Sequence, residues 1–468
     1  MTDGVLLLEL KRVTTVRIMG KNTSLTRRSF VILAASLAPA YKLDPFYNLL
    51  MPPEQTKKTY VCPPCGLNCD KLEFDKPGTC PVCRMTLVEK AATESGENGS
   101  TQHLTVEKLM GIYNIPGLSV AIVDNFKIAA TRVYGVTEAG ATTPVTPRTL
   151  FQAGSISKPV AAAGALYLVE QGNLSLDEDV NRKLKSWKLP ENEFTKEQKV
   201  TLRRIMSHSA GLTVHGFPGY AVGQALPTLT QVLNGDKPSN TVPVRVDSFP
   251  GTRWRYSGGG VLIEQQLMID LSGEPFPQLM REIVFDKIGM NDSTFEQPLP
   301  SSRLGLAASG TLANGKTVPG KSHVYPEMAA GGLWTTPSDL AKFAIEIALS
   351  KQGKSNRVLT QTMTREMLRP QMPRVEEIAL GNEQHRDRMG LGFFLRDETR
   401  PDLFGHIGDD EGFQAMLIMF GDSGQGTAIM ANSEYGIMLG DFVCEEIAKE
   451  YGWKGYVPSD RQHAQQLT

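Results

Sequence analysis

The chain has 468 residues, long enough for more than one structural unit and for a core that folds without covalent staples. Its 49 basic and 50 acidic residues leave a formal net charge of -1, which excludes the electrostatic footprint of a nucleic-acid or anionic-membrane binder. At 41% hydrophobic and 21% charged residues the composition is that of an ordinary globular protein, and no apolar run is long enough to predict a membrane span.

Thr26-Arg27-Arg28-Ser29-Phe30, the apolar run Val31 to Ala38 and the small-residue site Ala38-Pro39-Ala40 together predict an export signal over residues 1–40, with paired arginines of the twin-arginine type. The expected destination is the periplasm. Residues 41–59 hold Pro45, Pro52 and Pro53 and read as a linker, as do the small polar residues of 91–102. Between them, 60–90 is cysteine-rich. Residues 103–455 read as one large domain and 456–468 as a tail. That domain opens with a short helix around 104–112. Leu118 to Val123 and Ile128 to Val133 predict paired strands joined by turn residues Asp124-Asn125. Ser155 to Gln171 predicts a helix that is apolar nearly all round and therefore buried, with Pro159 in its first turn and Gly172 as its stop. Helical periodicity returns at Val261 to Leu271 and Phe276 to Phe285. Gly390 to Leu395, Gln414 to Phe420 and Thr427 to Ala431 predict strands, and Met438 to Tyr451 a closing helix. A sheet fed from both ends of the chain, with a helical insertion between, is an α+β layout.

Three short motifs carry chemistry. In Ser155-Ile156-Ser157-Lys158 the hydroxyl and the amine lie three apart, on one face of a helix. A serine hydroxyl needs an adjacent base, and a buried lysine can serve as one. The helix N-terminus favours the developing negative charge, and a backbone N–H there can donate to an oxyanion. Taken alone the motif fits equally an N-capping serine beside a solvated lysine. Tyr256-Ser257-Gly258 puts a phenol on a tight loop, where Lys158 could supply the cation that a phenol base requires. His406-Ile407-Gly408 is the only His-x-Gly of the chain, and its glycine permits close approach of a substrate backbone.

In order and separation these motifs resemble the serine β-lactamase and penicillin-binding-protein superfamily. The likeness is greatest to its class C-like branch, which includes carboxylesterases and D-aminopeptidases. Pro116-Gly117-Leu118-Ser119-Val120, Ser207-His208-Ser209-Ala210-Gly211-Leu212, Phe249-Pro250-Gly251 and Thr336-Pro337-Ser338-Asp339-Leu340 add to it. The resemblance implies a β-lactamase/transpeptidase-like fold: an antiparallel sheet flanked by helices, with a mostly helical insertion. It implies Ser155 as the acylated nucleophile, Lys158 and Tyr256 as the proton network, and His406 and Gly408 in the Lys-Thr-Gly strand. The backbone N–H groups of Ser155 and Asp409 would form the oxyanion hole. Two positions depart from the family pattern. Gly258 stands where an asparagine is common, and His406 where a lysine attracts a substrate carboxylate. Both point away from a strong β-lactamase and leave intact the expected hydrolysis of a small ester or amide, a carboxylic ester foremost. Alternatives are a D-aminopeptidase, a D-alanyl carboxypeptidase, a weak β-lactamase, or a metal-responsive binding protein without turnover. No cofactor is expected for catalysis.

Cys62-Pro63-Pro64-Cys65 and Cys80-Pro81-Val82-Cys83, fourteen residues apart, suit four thiolates around one zinc or other heavy-metal ion in a small zinc-ribbon-like unit. Two disulfides are the competing reading in an oxidising compartment. Residues 60–88 resemble the heavy-metal-binding domain, with Arg84 in place of its usual glycine and Cys69 as an extra thiol. Cys444, on an apolar helix, reads as a core thiol.

Overall fold

The computed structural model describes residues 15–18, 21–24, 58–62, 72–78, 80–81, 87–90, 105–371, 388–395, 402–454 and 456. The twin-arginine segment, the second linker, Cys65, Cys69 and Cys83 lie outside them. Residues 1–58 and 59–468 form two units. In the first, β1 (Thr15–Ile18) and β2 (Lys21–Ser24) pair antiparallel.

The second unit opens with a three-stranded antiparallel sheet in which β3 (Tyr60–Val61) lies between β4 (Glu73–Phe74) and β5 (Val88–Glu89). Thr105 caps α1 (Val106–Tyr113), its hydroxyl accepting from the Lys108 N–H. Then β6 (Gly117–Asp124) and β7 (Lys127–Gly135) form the expected hairpin. Asn125 and Phe126 both take positive φ in the two-residue turn, the geometry that matches strand twist.

After β8 (Phe151–Gln152), a 3₁₀ turn over Gly154–Ile156 leads into α2 (Ser157–Glu170). The central region supplies α3 (Gly258–Ser272), the short pair β9 (Tyr220–Ala221) and β10 (His323–Val324), and the single turn α4 (Met328–Gly331). Next come β11 (Trp334–Thr335), paired with β8, and α5 (Pro337–Lys351). The chain returns as β12 (Arg388–Met389), β13 (Phe394–Leu395), β14 (Leu403–Asp410), β15 (Phe413–Phe420) and β16 (Gly426–Ala431), and closes on α6 (Gly436–Glu450).

The main sheet is antiparallel throughout, in the order β12-β13-β14-β15-β16-β6-β7. Both its faces are covered, which explains why β6 reads as a continuous apolar run rather than an alternation. Ala121, Val123, Leu417, Met419, Ala428 and Met430 join the large core with α5. Their alternates Val120, Ile122, Met416, Ile429 and Ala431 join a second core with α1 and α6. Edge strand β7, by contrast, alternates exposed and half-buried positions.

Two elements escape pattern and propensity, although the resemblance sets His406 and Gly408 in a strand. Gly390 to Leu395 is not one strand but the turn between β12 and β13 with β13 itself. And β14, with two glycines and two aspartates among its eight residues, has too little strand propensity to be read. Helix α2 is buried as expected. Leu166 within it is wholly shielded from solvent. Leu166→Ala should lower unfolding free energy by about 2–5 kcal/mol in urea titrations, against less than about 0.5 kcal/mol for Val133→Ala on the exposed face of β7.

Candidate active site

The backbone brings the turn before α2 against the edge of β14. Gly154 has φ +49°, and a Cβ there would lie 2.4 Å from the Asp409 amide nitrogen. A Cβ on Gly408 would lie 1.9 Å from the Ala153 carbonyl oxygen and 3.3 Å from the Ser155 nitrogen. Neither position admits a side chain without displacing backbone, so the two glycines set the approach. The Ala153 N–H also donates to Leu333 O at 2.9 Å, and Ser157 Oγ accepts from the Leu333 N–H at 3.0 Å. These bonds seat the turn that holds Ser155 between the sheet edge and the segment following α4.

On this seat Lys158 Nζ donates to Ser155 Oγ at 2.8 Å and to the Ala330 carbonyl at 2.6 Å. Lys158 is buried, and Ser155 caps no helix N–H, so the capping and solvated-lysine readings fall. The Ala330 carbonyl is itself braced from α3: Gln265 Oε1 accepts from the Ala329 N–H at 2.9 Å. Lys158 Nζ also lies 5.1 Å from the centroid of the Tyr256 ring. Ser155, Lys158 and Tyr256 therefore converge.

Tyr256 sits just before α3, among rings: His208 at 4.2 Å, His215 at 5.0 Å, His406 at 6.3 Å, and Phe394 stacked nearly parallel at 6.5 Å. His208 Nδ1 accepts the Ser257 N–H at 3.2 Å, which fixes the loop behind the phenol. The motif reading quoted His208 without a role and missed His215, Trp254 and Phe394. His208 carried one local signal, its place beside Gly211 in a tight segment, and its φ is indeed +55°.

His406 belongs to the main sheet. It is buried on β14, where the burial pattern turns His406, Gly408 and Asp410 inward and Ile407 and Asp409 outward. Its Nδ1 lies 2.5 Å from the Ile407 carbonyl, so Nδ1 must carry the hydrogen. Its Nε2 is left as a buried acceptor with no partner among the described residues. Burial, with the Lys158 charge adding to it, holds the His406 imidazolium pKa down to about 3. Burial and the same lysine hold His208 well below 6.5. Two buried carboxyls move the other way: burial raises Glu264 to about 8, with the Lys158 charge opposing, and Glu327 to about 7.

The arrangement can present a serine oxygen to a carbonyl, take its proton on an adjacent amine, and offer backbone N–H groups at the junction of β14 and the turn before α2. Comparison with known proteins identifies the family. The β-lactamase family model matches residues 104–447, so the chain belongs to the β-lactamase family, the β-lactamase-related serine hydrolases. A heavy metal binding domain model matches residues 59–90. A β-lactamase of Pseudomonas fluorescens is 27% identical over 357 residues, 71% of this chain and 92% of that protein. The D-alanyl-D-alanine-carboxypeptidase/endopeptidase AmpH of Escherichia coli (strain K12) is 21% identical over 307 residues, 65% of this chain and 76% of that protein. The octameric penicillin-binding protein homologue from Pyrococcus abyssi shares the fold, with a TM-score of 0.62, 22% identity, and coverage of 75% of this chain and 77% of that one.

In the cysteine-rich unit, Cys62 and Cys80 are buried and share the second core with Leu87, α1 and α6. Thiol donors held out of solvent fit a soft metal ion, and each begins one of the two Cys-x-x-Cys pairs.

The buried histidine gives the fold a signed pH dependence. Between about 3 and 6.5 the unfolded chain binds a proton at residue 406 and the folded chain does not, so this residue makes stability rise with pH across that window. Glu264 and Glu327 oppose it above 4.5, since the folded state holds their protons to about 8 and 7. In His406→Gln the first contribution is gone. The gain in unfolding free energy from pH 5 to pH 7 should then be about 2 kcal/mol smaller than in the parent, read by urea titration at each pH.

Proposed function

We propose that this protein is a serine hydrolase of small esters and amides, carboxylic esters foremost, acting through an acyl-enzyme on Ser155. The observation that carries the reading is the 2.8 Å hydrogen bond from a buried Lys158 to Ser155 Oγ. Ser155 Oγ attacks the carbonyl carbon while Lys158, acting from its unprotonated form, takes its proton. The backbone N–H groups of Ser155 and Asp409 hold the oxyanion. Tyr256, against the lysine, passes the proton to the departing oxygen or nitrogen. Water then attacks the acyl carbon by the reverse proton path, releasing the acid and restoring the serine.

The neutral His406 bears on specificity. A positive charge at that position would attract a substrate carboxylate, and a neutral ring does not. This favours esters over β-lactams or C-terminal carboxylate peptides. Hydrolysis of small D-amino-acid peptides is the second reading, supported by the likeness to AmpH. The N-terminal twin-arginine segment supports export to the periplasm, and Cys62, Cys65, Cys80 and Cys83 would hold a structural zinc or similar ion, which supplies folding energy to its own unit.

Ser155→Ala should lower hydrolysis of a nitrophenyl acetate by at least about 10³-fold and abolish labelling by a fluorophosphonate probe. Retained turnover would refute the nucleophile, and absence of labelling in the parent would favour a binding protein. Mass-spectrometric metal analysis of the full chain purified under reducing conditions should find about one soft divalent ion per chain. Less than about half an equivalent would instead support the two-disulfide reading.

A further inference from the structure

A cavity of about 340 Å³ opens where β14 ends, lined by Phe217, Pro218, Tyr325, Gln414 and the carboxylates Asp409, Asp410, Glu411 and Glu434. No lysine or arginine lines it. Its polar atoms are unevenly satisfied. Gln414 Nε2 donates to Asp409 Oδ1 at 3.1 Å, and Glu434 Oε2 accepts the Ala313 N–H at 2.7 Å. Asp410 Oδ2 is different: the side chain is more than nine-tenths buried, and that oxygen has no partner among the described residues. As a carboxylate oxygen it is an acceptor. Such groups are costly to leave unpaired, and only a hydrogen-bond donor or a cation can satisfy them.

The carboxylates do not form a metal site, since no group of three or more ligand side chains among the described residues has metal-binding geometry. The cavity is instead of the size that holds a small organic group. Its location fixes what that group belongs to. Gly408 abuts the Ser155 backbone, and Asp410 lies two strand residues further, about 7 Å along β14. A ligand in the cavity is therefore within one short chain of the attacked carbonyl.

We propose that this cavity binds an aliphatic ammonium group of the substrate, so that the preferred esters carry a positive amine about six bonds from the scissile carbonyl. The inference rests on the reading of Ser155 as nucleophile. Burial and the neighbouring Asp409 push the Asp410 carboxyl well above the usual carboxylate range, as expected of crowded acids awaiting a counter-cation. Glu327, buried behind this wall, is raised by burial alone and is not part of the lining.

The test compares nitrophenyl esters of 6-aminohexanoic acid, hexanoic acid and adipic acid (one free carboxylate) at low ionic strength and pH 7. Expected kcat/KM values fall in that order, by about tenfold or more at each step, with the first gap closing in 0.5 M salt. Glu411→Gln should shrink the amino-over-neutral ratio to below about threefold, and Glu434→Gln serves the same purpose if the first variant does not fold. In parallel, n-hexylammonium should bind the parent protein more tightly than hexanoate by isothermal titration. Ser155-dependent turnover with no preference for the amine overturns this inference and leaves the hydrolase reading intact. If no ester is turned over and Ser155 resists the probe, the hydrolase reading fails. The ammonium-against-carboxylate binding comparison then decides the cavity by itself: tighter ammonium binding supports it, and equal or weaker binding overturns it.

Discussion

The site depends on one contact between two stretches of backbone. Gly408 of β14 lies against the Ala153 carbonyl, and Gly154 lies against the Asp409 amide, at separations no Cβ would tolerate. Every group of the proposed site is hung from that contact. It puts the amides of Ser155 and Asp409 at one junction and turns the inward face of β14 toward the serine. It also leaves α2 free to begin at Ser157, with Lys158 one residue in. A methyl group at either glycine would separate nucleophile from sheet edge by a displacement that catalysis does not tolerate. The rest of the fold, two helical layers over an antiparallel sheet, holds the two stretches together by burying both faces of β15, β16 and β6.

Around that contact the electrostatics are local. The chain is nearly neutral overall, so no long-range field steers the substrate. Within the site, one buried amine governs its neighbours. Lys158 adds to the burial that lowers the basicity of His208, His215 and His406, and it works against the burial that raises the carboxyls of Glu264 and Asp410. Three imidazoles near a phenol would suggest a shared proton pool. Their depressed basicity means instead that they act as shaped neutral dipoles, holding the Tyr256 ring and its loop. The proton path then involves fewer groups than the crowding of titratable side chains suggests.

Much of this was legible before any coordinates, and the limits have physical causes. Apolar periodicity found α2, α3, the β6–β7 hairpin, β15, β16 and α6, because each buries a regular stripe or run. It missed β14, whose glycines and aspartates serve the site rather than the sheet. It also passed over α5, although Thr336 as cap, Pro337 in the first turn and Asp339 beside them are ordinary helix-start signals. The convergence of Ser155, Lys158 and Tyr256 followed from motif order and resemblance, not from periodicity. The supporting groups were invisible for another reason. Ala330 contributes only a carbonyl, Gln265 braces it from another helix, and Phe394 reaches the phenol from β13 and His215 from a distant loop. No spacing rule links such residues, since tertiary packing alone brings them together.

The two departures from the family pattern are explained by one rearrangement. A Cβ on Gly258 would come within 2.9 Å of the Phe217 ring and 3.1 Å of the His215 carbonyl. An asparagine there would have to push Phe217 out of its place, and Phe217 is a wall of the acidic cavity. Glycine at 258 thus lets an aromatic ring close one side of that cavity, where a polar amide would otherwise reach toward substrate. At the same time a neutral His406 stands where the family pattern carries a lysine. A site built for a carboxylate needs the amide and the lysine together. This one lacks both, and the space and charge left behind are shaped by Phe217 and by acceptors with nothing to accept from. The coordinated loss is easier to reconcile with a changed substrate than with a decaying site, because Lys158 keeps its hydrogen bond to Ser155 and its place over the Tyr256 ring beside it.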